Sequence, residues 1–143
     1  FLYSGIILSE GEPHTPEQLA EAALWIEKSA NGGFLRAMTT LANMYADGRV
    51  IKRDTEKSFY WFDAAAKKGD VTSQVTAAGI YHLSMDKDRK TAYAWYMTAA
   101  ASGNEYAKEQ GEKLFKEFNS EEQKEAEKIA GEYIVLYAKN AAG

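Results

Sequence analysis

The chain has 143 residues, of which 45% are hydrophobic and 13% aromatic, with 2 prolines and no cysteine. That length suits one domain with enough apolar mass for a core, and it excludes extended disorder, disulfide staples and thiolate metal sites. A formal net charge of −4 repels phosphate backbones and argues against a nucleic-acid partner, and no stretch approaches the ~20 apolar residues of a membrane span.

Residues 1–4 read as the tail of an element whose start is missing, so 1–15 is predicted as a partial unit. Thr15-Pro16-Glu17-Gln18 is a capping box with proline at the first helical position. It opens a unit over about 16–50, with a helix through Ala22, Trp25, Ser29 and Ala30 that ends at Gly33. A second helix through Ala37, Leu41 and Tyr45 ends at Gly48. The next unit, about 54–86, repeats the plan: Asp54 as cap, then Ser58, Trp61, Ala65 and Ala66, then Gly69 as the stop. Asp70 caps its second helix, which carries Ser73, Ala77 and Tyr81 on one face. The third unit, about 88–117, runs through Ala92, Trp95, Ala99 and Ala100 to Gly103, then from Asn104 as cap through Ala107. Gly111 stands where the pattern calls for leucine. Ser120-Glu121-Glu122-Gln123 is predicted as a second capping box, opening a closing helix over 120–139.

Trp25, Trp61 and Trp95 are thus 36 and 34 residues apart, each followed by a small pair and a glycine. A period of that size marks an all-α solenoid of stacked antiparallel helix hairpins. The tryptophans are expected to fill gaps between neighbouring pairs, and the small residues Ala37, Ser73 and Ala107 to sit where paired helices approach closely. A terminal helix with the charged flank Lys124, Glu125 and Lys128 would give the stack one wet end.

Chemistry leaves little trace. His14 and His82 have no second histidine at metal-ligand spacing, no G-x-S-x-G elbow or phosphate-cradling glycine loop occurs, and Asp86-Lys87-Asp88 lacks the glycine and distal glutamate of a calcium loop. No catalytic residue, metal or cofactor is expected.

The unit Ala22…Trp25…Ser29-Ala30…Gly33…Ala37…Leu41…Tyr45…Gly48, recurring around Trp61 and Trp95, resembles the Sel1-like repeat, a relative of the tetratricopeptide repeat. The resemblance covers roughly residues 1–117, and the closing helix is similar to the C-terminal cap of bacterial members. It implies a superhelix that binds other proteins. Bacterial members are often exported to the periplasm or beyond, and some act as immunity proteins against a toxin or effector.

In that superfamily the first helix of each pair faces the concave side. Relative to each tryptophan, positions −2, −1 and +2 point away from the core at 100° per residue. They supply Leu24, Glu27, Phe59, Tyr60, Asp63, Tyr93 and Met97 as the candidate partner-binding strip, apolar and aromatic side chains with carboxylates beside them. Such a mixture suits an interface centre with a polar rim. The reading is a protein-binding module, a bacterial adaptor or immunity protein that occludes a partner. The alternatives are a scaffold segment of a larger secreted or periplasmic protein, or an enzyme or small-ligand binder that uses the groove.

Overall fold

A computed structural model of the protein describes residues 15–49, 51–83 and 88–138. The expected partial unit before Thr15, the turn at Asp86-Lys87 and the end of the closing helix beyond residue 138 lie outside these. Seven α-helices and no strand are found among the described residues. The chain divides into two compact units, Phe1–Ala65 and Ala66–Gly143.

The first unit holds α1 (Pro16–Asn31), α2 (Leu35–Asp47) and most of α3 (Thr55–Lys67). The capping box predicted at Thr15 is present: its hydroxyl accepts from the Gln18 N–H at 3.1 Å, and the Gln18 side chain accepts from the Thr15 N–H at 2.9 Å. The chain reverses through Gly33 at φ 91°, a conformation open to glycine because it lacks Cβ. α1 and α2 pack with Ile26 and Ala30 buried on one and Ala37 and Leu41 on the other. Asp54 caps α3 by accepting from the Lys57 N–H, and the buried Ser58 hydroxyl ties α3 to α2 by donating to the Ala42 carbonyl at 2.8 Å.

The second unit holds α4 (Val71–Leu83), α5 (Arg89–Ala101), α6 (Glu105–Lys116) and α7 (Ser120–Tyr137). Asp70, Asp88 and Asn104 cap α4, α5 and α6 through backbone N–H groups three residues on. α5 is the hub, packed against α4, α6 and α7. Trp95 is fully buried there, its ring 4.9 Å from Tyr133 and 5.3 Å from Tyr137 of α7. Gln74 is also fully buried and donates to the carbonyls of Ala66 and Tyr137 at 3.0 and 2.8 Å, joining the C-terminal ends of α3 and α7.

Two details differ from the sequence reading. The cap of α7 is Asn119, one residue earlier, and Glu122 completes the box. The run Asn-Ser-Glu-Glu-Gln permits both registers. The earlier one leaves the Gln123 amide free to donate to the Phe115 carbonyl at 3.1 Å, which fastens the turn between α6 and α7. The tryptophans are also unequal. Trp95 is 0% and Trp61 9% exposed, whereas Trp25 is half-buried with the Lys28 ammonium 4.7 Å above its ring. A lysine stem and cation can cover an indole face.

Candidate partner-binding surface

The strip residues lie on the first helix of each pair: Leu24 and Glu27 on α1, Phe59, Tyr60 and Asp63 on α3, Tyr93 and Met97 on α5. In the first unit they are largely accessible. Leu24 is 52% and Tyr60 63% exposed, Glu27 is exposed, and Phe59 and Asp63 are half-buried. Tyr60 stands edge-on to Trp61, ring centroids 5.0 Å apart. The core indole therefore fixes the tyrosine on one side and leaves most of the residue exposed. A ring held this way loses little side-chain entropy when a partner covers it. Lys57, one turn before Tyr60 and Trp61, lies over the ring of Tyr45 at 5.6 Å instead of over the strip.

In the second unit the strip is less accessible. Tyr93 is only 8% exposed, packed against Phe115 at 5.1 Å and edge-on to Phe118 at 6.2 Å. Burial holds its phenol above the ordinary value, and the carboxylates of Glu127 and Glu112 add to the effect. Met97 is half-buried. Gly111 explains the closeness of α6: a Cβ added there would lie 2.9 Å from Met97 Sδ and 3.2 Å from Tyr96 Cβ. The glycine in the leucine position draws α6 onto α5, and aromatic side chains at the end of α6 close over Tyr93. Among the described residues no group of three or more His, Asp or Glu side chains is placed to hold a metal, and no helix is long and apolar enough to cross a membrane.

Sequence reasoning missed the exposed aromatics Phe34 and Tyr106. Phe34 caps α2 without a side-chain hydrogen bond and is 61% exposed. The corresponding residues before α4 and α6 are Asp70 and Asn104, both of which cap. Aligning the units on their glycines shows this substitution directly.

The Sel1 repeat family model matches residues 2–34, 35–70 and 78–104. The chain belongs to the Sel1 repeat family. The 35–70 match opens on the second helix of one pair and closes after the first helix of the next. Among curated relatives, the chain is 29% identical over 77 residues to a putative sel1-like repeat-containing protein, R850, of Acanthamoeba polyphaga mimivirus, covering 51% of this chain and 15% of that protein. It is 29% identical over 93 residues to the chitin synthase regulator SKT5 of Saccharomyces cerevisiae, covering 62% of this chain and 13% of the regulator. The chain thus spans about a seventh of the length of the curated relatives it matches. A crystal structure of c5321, a protective antigen present in uropathogenic Escherichia coli strains and displaying an SLR fold, superimposes with a TM-score of 0.80 at 27% identity, over 96% of this chain and 30% of that one. A Sel1 repeat protein from Oxalobacter formigenes superimposes with a TM-score of 0.65 at 34% identity, over 79% and 85%. This Sel1 repeat chain is an all-α solenoid of a class that serves generally as protein–protein interaction modules.

Proposed function

We propose that this Sel1 repeat chain binds another protein through the outward face of its first helices, with Leu24 and Tyr60 as anchors and Glu27 and Asp63 at the rim. The observation that carries the reading is Tyr60: it is 63% exposed, yet its ring is braced against a buried tryptophan. Large aromatic side chains held rigid in water are what interface hot spots are made of. The action is steric. The chain covers a functional surface of its partner, and no residue of its own takes part in a reaction. In the bacterial adaptor or immunity form of this proposal, the partner is a toxin or effector whose active-site mouth is occluded.

A scaffold role within a longer protein is the second reading. It is favoured by the small share of the curated relatives that the chain spans.

The test is photocrosslinking in the source cells, with a benzophenone amino acid in place of Tyr60 and, as a control, in place of the exposed Glu109. The expected result is a discrete protein adduct from position 60 that position 109 does not give. If the two positions give the same diffuse adducts, the surface assignment is wrong. If the captured protein keeps full activity at a one-to-one ratio with this chain, occlusion is wrong and scaffolding stands.

A further inference from the structure

We propose that the outer face of α7 pairs with the same face of a second copy of the chain. One side of α7 is fully used: Ala126 and Ala130 are buried, and Tyr133 and Tyr137 stack around Trp95. On the other side Lys128, Gly131, Glu132, Val135 and Leu136 recur at spacings of three and four and, with Glu127, line a shallow groove. Val135 is 74% and Leu136 66% exposed.

Two features say what covers this face. The first is Gly131. It sits inside a helix, where glycine weakens the structure relative to alanine, and a Cβ added there would meet nothing within 4 Å. Among the described residues its smallness therefore has no packing use, in contrast to Gly111, and it leaves room for a second backbone to come close. The second is charge. Lys128 and Glu132 are one turn apart, exposed, and in no ion pair among the described residues. In a parallel pair of α7 helices, lysine would meet lysine. In an antiparallel pair with a two-fold axis level with residue 130, Lys128 of each copy faces Glu132 of the other, with Gly131 beside the axis. The symmetry makes both ion pairs at once. The same arrangement sets Leu136 level with Lys124 of the other copy, whose methylene stem can cover it. The antiparallel orientation thus makes the Lys128 and Glu132 charges complementary to themselves, which the parallel one does not.

One helix face per copy is a small interface, so the dimer is weak, with dissociation at roughly 10 µM to 1 mM. Sedimentation equilibrium of the 143-residue chain in low salt across that range tests it. The expected result is a monomer–dimer equilibrium. Glu132→Lys should raise the dissociation constant about tenfold, because two weak attractions become repulsions. Adding Lys128→Glu to it should restore the original value, because both pairs re-form with signs exchanged. A chain that stays monomeric at about 1 mM overturns the proposal. So does a dimer that Glu132→Lys leaves unchanged, or a double variant that fails to recover. Helical circular dichroism of each variant shows whether the fold is retained.

Discussion

The three tryptophans occupy one position of the repeat but should respond differently to truncation. Trp95→Ala removes a fully buried indole, for which the usual cost is ~3–5 kcal/mol. Its edge-to-face and tilted contacts with Tyr133 and Tyr137 at 4.9 and 5.3 Å push the cost toward the upper end. The indole N–H is buried without a hydrogen-bond acceptor, so its removal returns about 1 kcal/mol. The net loss is about 4 kcal/mol, or roughly 10–15 °C in Tm for a chain of this size. Trp61, 9% exposed, should cost about 3 kcal/mol. Trp25, half-buried and covered on one face by the Lys28 cation, should cost only about 1 kcal/mol. Thermal unfolding followed by circular dichroism at 222 nm ranks the three. The reasoning is refuted if Trp25→Ala is as costly as Trp95→Ala, or if Trp95→Ala melts within about 3 °C of the parent.

Position 34 should prefer a capping residue: Phe34→Asp is expected to be about 1 kcal/mol more stable than Phe34→Ala, measured by urea unfolding, because only aspartate can accept from the first-turn N–H groups of α2. Gly111→Leu should destabilise by more than about 2 kcal/mol, since even a lone Cβ meets Met97 and Tyr96 too closely. A melting temperature at or above the parent's would contradict that close approach. Gln74→Leu removes a donor from the Ala66 carbonyl, which keeps Gly69 N–H, and the side-chain donor from the Tyr137 carbonyl, and should speed amide hydrogen exchange at the C-terminal end of α7 before it affects α2. Burial raises the phenol pKa of both Tyr93 and Tyr96 in the folded state. Protons are then held more tightly folded than unfolded, so this contribution is complete below the ordinary tyrosine value near 10 and is lost as pH rises past it. Replacing both tyrosines with phenylalanine should flatten the fall in stability above about pH 10, read from denaturation midpoints.

Much of the fold is legible in the sequence because its signals are local. Gly33, Gly69 and Gly103 all take positive φ, at 91°, 95° and 101°, and Thr15, Asp54, Asp70 and Asn104 cap the helices they precede. Ala37, Ser73 and Ala107 are at most 1% exposed, as close-approach positions require. What sequence alone misses is which other helix covers a given face. Tyr60 and Tyr93 hold neighbouring slots beside equivalent tryptophans, but one is 63% and the other 8% exposed. The cover over Tyr93 comes from Phe115 and Phe118, with Gly111 letting α6 close in, and all three lie outside the helix being read. The register of the last cap fails for a simpler reason, since Asn119 and Ser120 are both competent caps and only packing chooses between them.

The central claim is that the aromatic strip beside the repeat tryptophan serves a partner at Tyr60 in the first unit and the core at Tyr93 in the second. The most direct measurement compares Tyr60→Ser with Tyr93→Ser, recording for each the affinity for the protein captured at position 60 and the melting temperature. The account predicts that Tyr60→Ser loses about tenfold or more in affinity with little change in melting, and that Tyr93→Ser melts several degrees lower. Melting that falls for Tyr60→Ser while binding persists would contradict it.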